Sequence, residues 1–185
     1  NYSNRTKFQS IVYHLYKKIF IYLKKNNQKI LDSIHFDYLN TNTFRLSESE
    51  FGKFIIFAKD GGISRQVYIN KTYNFETLNK AIQILGKVDI IFDIGANIGT
   101  TCITAIKKKF SKTAIAIEVD NENFELLRQN IILNKMEDKI KSFNAAIGYK
   151  QKKIDLIKNK NNFGANYTKN SNDFKKKNKV KVIHL

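Results

Sequence analysis

The stretch Val88 to Thr101, V-D-I-I-F-D-I-G-A-N-I-G-T-T, constrains the fold more than any other part of the chain. Val88, Ile90, Ile91 and Phe92 form a short apolar run that ends in the acid Asp93, and a glycine loop from Gly95 to Gly99 follows. Helix-compatible sequence then begins. β-branched and aromatic residues packed this closely predict a strand buried on both faces, as in a parallel sheet covered by helices. Gly95 and Gly99 permit positive φ and let a ligand approach the backbone with no Cβ in the way. The unpaired N–H groups of the helix start favour anionic or polar ligand groups. A strand, a tight loop and a helix start together predict a nucleotide-type cofactor site.

The flanking sequence extends this unit. Thr113 to Val119, T-A-I-A-I-E-V, reads as a second buried strand, with Asp120 or Asn121 capping a helix that carries Phe124, Leu127, Ile131 and Ile132. Lys139 to Asn144 reads as a third strand. The β-α-β-α-β order implies an α/β fold, a Rossmann-like doubly wound, mostly parallel sheet with right-handed crossovers. Upstream, a helix through Phe75, Leu78, Ala81, Ile82 and Leu85 is capped by Thr72 or Asn74 and stopped by Gly86. Phe51 to Ala58 and Ser64 to Ile69 read as a β-hairpin turning at Asp60-Gly61-Gly62. Asn26 to Glu50 reads as a linker with a short helix around Gln28 to Phe36. Phe8, Ile11, Val12, Leu15, Tyr16, Ile19 and Leu23 recur at helical spacing, with Lys17, Lys18, Lys24 and Lys25 largely off the stripe. This amphipathic helix either packs on protein or makes peripheral contact with a membrane surface. The domain expectation is therefore an N-terminal helix and linker over 1–50 and a catalytic domain over 51–185. Past Gly148 only Lys152 to Ile157 and Lys179 to Leu185 look strand-like, and Asn159 to Asn178 reads as a long mobile loop.

The net charge of +17 raises nucleic acid or an anionic membrane as partner. The excess is lysine, since Arg5, Arg45, Arg65 and Arg128 are the only arginines, and base and phosphate readout favours the arginine fork. Compositional drift in an Asn- and Ile-rich, proline-free chain accounts for such a bias as well as a functional basic surface does. A single cysteine, Cys102, excludes a disulfide framework and a thiolate metal cluster and fits a reducing cytoplasm. No metal is expected. No apolar run reaches the roughly 18 residues that would span a membrane. The chain starts at Asn1 and stops at Leu185 inside a strand-like run, which reads as a fragment whose later strands are missing. Such a fragment would leave the strand of Ile90 to Phe92 with an unpaired edge and a tendency to aggregate.

In doubly wound sheets the ligand lies outside the carboxyl ends of the strands. Asp93 with its loop, Glu118 and Asn144 all fall there. A carboxylate at the position of Glu118 can accept from both hydroxyls of a ribose. A nicotinamide site would carry G-x-G-x-x-G, whereas this loop is G-x-N-x-G, and Asp93 would sit badly beside a pyrophosphate. An acid there suits a cofactor with a cationic amino group, which points to S-adenosylmethionine.

Asp93-Ile94-Gly95-Ala96-Asn97-Ile98-Gly99, Ile117-Glu118, Asn130, Asn134 and Asn144-Ala145-Ala146-Ile147-Gly148 resemble the FkbM family of S-adenosylmethionine-dependent class I methyltransferases, over roughly residues 74–185. By position the resemblance implies that Asp93, Gly95, Ala96, Asn97 and Gly99 hold the methionine part. Glu118 would take the ribose, with Val119 where the family usually has proline, and Asn144 with Ala145 the adenine edge. Glu76 is a further candidate. The family's next strand, with an Asp-x-Glu-Gly motif, is expected just beyond Leu185. The resemblance implies O-methylation of a sugar or another small-molecule hydroxyl, with a carbohydrate acceptor and no specific nucleic acid. No catalytic base is assigned, and His14, His35 and His184 are not candidates. A nicotinamide-dependent oxidoreductase and a basic nucleic-acid or membrane-binding module are the alternatives.

Overall fold

A computed structural model describes residues 2–39, 43–148, 154–159, 162–170, 180 and 182–183. It divides into two compact units, residues 1–38 and 39–185. The first is one helix, α1 (Tyr2–Leu39). It continues through residues 26–39, the first part of the stretch expected to be mostly linker, and a strand at Phe44–Ser49 takes up most of the rest. The physical reason is the absence of any glycine or proline before Gly52, so nothing interrupts the helix, and Gln28 donates to Asp32 one turn on at 2.9 Å. Val12, Leu15 and Ile19 are exposed on it, as are Lys17, Lys18, Lys24 and Lys25. The side chains of Phe8, Ile11, Tyr16 and Leu23, four members of the expected stripe, lie outside the described residues. No described helix is long and apolar enough to cross a membrane.

The second unit opens with an antiparallel hairpin, β1 (Phe44–Ser49) and β2 (Gly52–Phe57), with Leu46 opposite Ile55. The hairpin thus lies one strand earlier than expected. Residues Ser64 to Ile69 are not its second strand but part of α2 (Ile63–Asn70). Aspartate followed by glycines suits a helix entry as well as a hairpin turn. Here the buried Asp60 carboxylate accepts from the N–H groups of Gly62 (3.0 Å) and Ser64 (2.9 Å) and so caps the helix entry. α3 (Phe75–Leu85) follows as expected and ends at Gly86, while Asn74 precedes it without a side-chain capping bond.

The predicted β-α-β-α-β unit is present as β3 (Val88–Ile94), α4 (Thr100–Lys107), β4 (Ser111–Glu118), α5 (Asn121–Leu133) and β5 (Ile140–Asn144). The three strands are parallel in the order β3-β4-β5. Their register sets Ile94 beside Ile117 and Glu118 beside Asn144, so the carboxyl ends finish level. α4 and α5 bring Cys102, Ile103, Ile106, Leu127 and Ile131 into the core with Ala114 and Ala116 of β4 and Phe54 and Ile56 of β2.

Among the described residues helices cover one face of the sheet only, which corrects the expectation of a strand buried on both. Ile90, Phe92 and Ile94 alternate along β3 and stay 44%, 49% and 58% exposed, as does Phe143 of β5 at 44%. Only the central strand shields its own residue there, since Ile117 is buried between Ile94 and Phe143. Among the described residues no strand pairs with the outer edge of β3. Both crossover helices follow strands added in the same direction, and right-handed connections then put α4 and α5 on the same side.

Two asparagines one turn apart, Asn130 on α5 and Asn134 at its C-cap, fix the hairpin to this layer. The Asn130 side chain accepts from Ile55 N at 2.6 Å and donates to Ile55 O at 3.2 Å and Ile98 O at 2.9 Å. Asn134 accepts from Lys53 N at 3.0 Å and donates to Lys53 O at 2.7 Å. Each amide meets an outward-facing N–H and C=O of β2 and so replaces a neighbouring strand.

The remaining chain is more ordered than a free loop. β6 (Ala146–Ile147) pairs in parallel with β9 (Val182–Ile183), and β7 (Ile154–Ile157) pairs antiparallel with β8 (Tyr167–Asn170). A single 3-10 turn at Phe163–Ala165 lies between β7 and β8. The segment expected to be mobile is held here by tertiary contacts. Asp60 also accepts from Phe163 N at 3.0 Å, the Phe57 and Phe163 rings lie 5.4 Å apart, and Lys158 pairs with Asp120 at 2.8 Å. Residues 160–161 and 171–178 of that segment are outside the described residues.

Replacing Asn130 by alanine leaves the Ile55 and Ile98 groups buried without partners. The expected cost is about 2–3 kcal/mol of unfolding free energy, measured as a lower urea midpoint with an unchanged slope.

Candidate cofactor site

The site grows from the end of β3. Gly95 (φ +76°), Asn97 (φ +49°) and Gly99 (φ +90°) all take left-handed backbone, so the chain reverses within five residues. Asparagine is the non-glycine residue that adopts this conformation most readily, which explains Asn97 in place of a third glycine. The two glycines are required for different reasons. A Cβ on Gly99 would meet Leu127 Cδ1 at 2.7 Å and Ile103 Cδ1 at 3.0 Å, so that position is closed by packing. A Cβ on Gly95 would meet nothing within 4 Å, so that position faces open space.

The loop is anchored to β4. Gly95 N and Ala96 N both donate to Ile117 O, at 2.8 and 3.0 Å. Asn97 N donates to Glu118 Oε2 at 2.8 Å, and Glu118 Oε1 accepts from Asp120 N at 2.8 Å. The Glu118 carboxylate is only 5% exposed, and burial raises its pKa, opposed by those two N–H groups. From β5, Asn144 Nδ2 donates to Glu118 O at 2.9 Å and to Val119 O at 3.3 Å, and Ala145 N donates to Glu118 O at 3.1 Å.

Asp93 lies half-buried one step before the loop, and its Oδ2 accepts from Cys102 N at 3.0 Å. One donor of the α4 start is therefore capped by protein rather than left for a ligand. Burial raises the pKa of Asp93, with the hydrogen bonds from Cys102 acting against it. The Cys102 thiol is fully buried, and its pKa is pushed well up by burial and by the neighbouring Asp93 charge. No lysine, arginine or histidine among the described residues pairs with Asp93.

Nine of the ten sequence-derived site residues thus come together at the level ends of the strands: Asp93, Gly95, Ala96, Asn97, Gly99, Glu118, Val119, Asn144 and Ala145. Glu76 does not join them. It is exposed in the first turn of α3 and makes no hydrogen bond or ion pair among the described residues. Sequence reasoning also passed over the part Cys102 plays through its backbone N–H. The available signal was an acid at a strand end facing the first turn of the following helix. His14 and His35 lie on α1, and His184 is outside the described residues. Among the described residues no group of His, Cys, Asp or Glu could hold a metal ion.

The sequence model of the TRM5/TYW2 methyltransferase domain matches residues 57–184. The chain belongs to this family. No curated protein matches it. Among solved structures the chain is similar to a Methanocaldococcus jannaschii tRNA m1G37 methyltransferase, at 20% identity over 60% of this chain and 36% of that one, TM-score 0.41. It is similar to M. jannaschii TYW2 in complex with S-adenosylmethionine, at 20% identity over 56% and 43%, TM-score 0.40. A third is aTrm5 in complex with tRNALeu, at 21% identity over 57% and 28%, TM-score 0.42. The chain thus spans between 28% and 43% of these three proteins.

The match bears out a class I, S-adenosylmethionine-dependent methyltransferase domain with a Rossmann-like sheet. It corrects the FkbM assignment. The carbohydrate acceptor and the absence of a specific nucleic acid were implied by the FkbM resemblance, and membership of the TRM5/TYW2 family overturns them with it. The resemblance to FkbM rested on residues read as a methyl-donor site, and none of them bears on the acceptor.

The two glycines separate by stability. Gly99→Ala should cost about 2 kcal/mol or more, from overpacking and a strained left-handed φ, whereas Gly95→Ala should cost about 1 kcal/mol from φ alone. Thermal unfolding of the two variants measures the difference.

Proposed function

We propose that this chain is the donor-binding part of an RNA methyltransferase that moves the methyl of S-adenosylmethionine to a guanine ring nitrogen of tRNA. Family membership over residues 57–184 carries this reading. The choice of tRNA and of a ring nitrogen follows the relative named for m1G37. The basic balance of the chain, 33 lysines and arginines against 16 acids, suits a polyanionic acceptor.

The residues present fit this donor. Asp93 is a half-buried carboxylate with no cationic side chain paired to it among the described residues, which suits a ligand ammonium. The open space over Gly95 admits a ligand against bare backbone. Glu118 retains lone pairs beyond its two backbone bonds and would accept from ribose hydroxyls, while Asn144, Ala145 and Val119 border the place for an adenine edge. S-adenosylmethionine supplies a methyl carbon made electrophilic by its sulfonium. The chain's own contribution is to orient: the Glu118 contacts hold the loop rigid, and Asp93 fixes one end of the ligand by charge, so that positioning rather than covalent chemistry provides the rate. The proton on the acceptor nitrogen has to leave to a base, and no residue is assigned that role.

Calorimetry should show S-adenosylmethionine binding and no heat with a nicotinamide dinucleotide; the reverse would remove the reading. Asp93→Asn should weaken S-adenosylmethionine by about tenfold or more, the loss of a charge-assisted contact. The pH dependence has a definite sign. Because burial raises the Asp93 pKa, the protonated form persists above the ordinary aspartate range, so affinity should fall as pH drops through that raised value. Asp93→Asn should flatten this dependence. The same shifts make the free domain's stability from Asp93 and Glu118 greatest at low pH and progressively lost as pH rises through their raised values. Transfer of labelled methyl to an unmodified tRNA transcript, followed by nucleoside analysis, tests the acceptor: label in a methylated guanine is expected, and label on a ribose hydroxyl would refute the ring-nitrogen assignment.

A further inference from the structure

The amino ends of the same three strands carry a second charged feature, at the opposite end of the sheet from the glycine loop. Lys87 and Asp89 at the start of β3, Lys109 after α4, Lys112 in β4 and Lys139 before β5 line a cavity of about 650 Å³, with Ser111 in its wall. The parallel register brings them together by setting Val88 beside Ser111 and Ala114 beside Ile140. All four lysines are exposed. Asp89 is the one acid in the lining, and it is bonded to Lys112 at 2.7 Å. That bond holds the Asp89 carboxyl below and the Lys112 ammonium above their ordinary ranges. Lys87, Lys109 and Lys139 make no ion pair among the described residues, so the cavity holds three uncompensated positive charges.

Three ammonium groups around one concavity repel each other, and a polyanion relieves that repulsion. Lysine acts as a point charge without the planar fork that reads bases, so such a cavity suits phosphate contacts that position a nucleic acid without reading its sequence. We propose that the cavity formed by Lys87, Lys109 and Lys139 seats phosphodiester groups of the RNA whose base is methylated at the far end of the sheet. This rests on the RNA reading above and adds to it where the acceptor's backbone is held. β3 is seven residues long, so the two ends are separated by about 20 Å at roughly 3.3 Å per residue, and a folded RNA can reach both.

The test uses the full chain, an end-labelled unmodified tRNA transcript and fluorescence anisotropy across a potassium chloride series. The variants are Lys87→Gln/Lys109→Gln/Lys139→Gln and a charge-matched control on α1, Lys24→Gln/Lys25→Gln/Lys29→Gln. Each phosphate contact contributes about 0.7–0.9 to the slope of log affinity against log salt. The cavity triple should lower that slope by about 2–3 and weaken binding at low salt at least tenfold, with S-adenosylmethionine affinity and thermal midpoint unchanged. An unchanged slope in the cavity triple overturns the proposal, and so does an equal loss in the control, which would make the lysines interchangeable. Wild type that binds S-adenosylmethionine but not the transcript overturns the proposal together with the RNA reading. Wild type that binds the transcript but not S-adenosylmethionine, with the cavity triple still losing RNA affinity, overturns the methyltransferase reading and leaves the cavity assignment standing.

Discussion

The structure depends most on the two hydrogen bonds that the Glu118 carboxylate accepts, one from Asn97 N and one from Asp120 N. Through them a single side chain ties the loop after β3 to the start of α5. The backbone carbonyl of the same residue receives Asn144 and Ala145 from the end of β5. Three separate chain reversals therefore meet at one residue. A loop in left-handed conformation would otherwise sample many arrangements, and tying it to a buried carboxylate removes that freedom before any ligand arrives. Burial makes ionisation of this carboxyl less favourable, and the two N–H donors are the local compensation that keeps a charge tolerable there.

Around this joint the domain is built in one layer on one side. α4, α5 and the β1-β2 hairpin cover the face that carries Ala114 and Ala116, and the asparagine pair Asn130 and Asn134 seals the hairpin against α5. The opposite face keeps Ile90, Phe92, Ile94 and Phe143 partly in solvent. Rigidity at the site thus comes from the covered face, because the loop residues Ala96 to Thr100 are buried toward α4 and α5.

Much of this was legible along the chain because it depends on local physics. The strand, loop and helix around Asp93, the second strand ending in Glu118 and the third ending in Asn144 each follow from short-range patterns, and parallel topology then forces their ends to coincide. Where reading failed, two outcomes shared one local signal. Asp60 with two glycines suits a hairpin turn and a helix cap equally, and only packing of α2, with Val67 fully buried, decided for the cap. Phe163 lies in Asn-rich sequence that shows no period, and its place is set by Asp60 and Phe57 about a hundred residues away. The acceptor was misread for a different reason. A donor loop is shaped by the methionine and ribose it holds, so enzymes with unrelated acceptors share it.

By itself the sequence determined the order of elements, the parallel three-stranded core and the polar groups at its carboxyl end, since periodicity, glycine placement and strand-end acids act over a few residues. Only the tertiary structure decided which backbone groups those side chains meet: Glu118 with Asn97 and Asp120, Asp93 with Cys102, Asn130 with Ile55. It also decided that Glu76 stays apart, that one sheet face keeps Ile90, Phe92, Ile94 and Phe143 partly exposed, and that Lys87, Lys109, Lys112 and Lys139 gather at the amino ends of the strands. Most of these are relations between residues well separated in the chain, fixed by packing and register rather than by local preference.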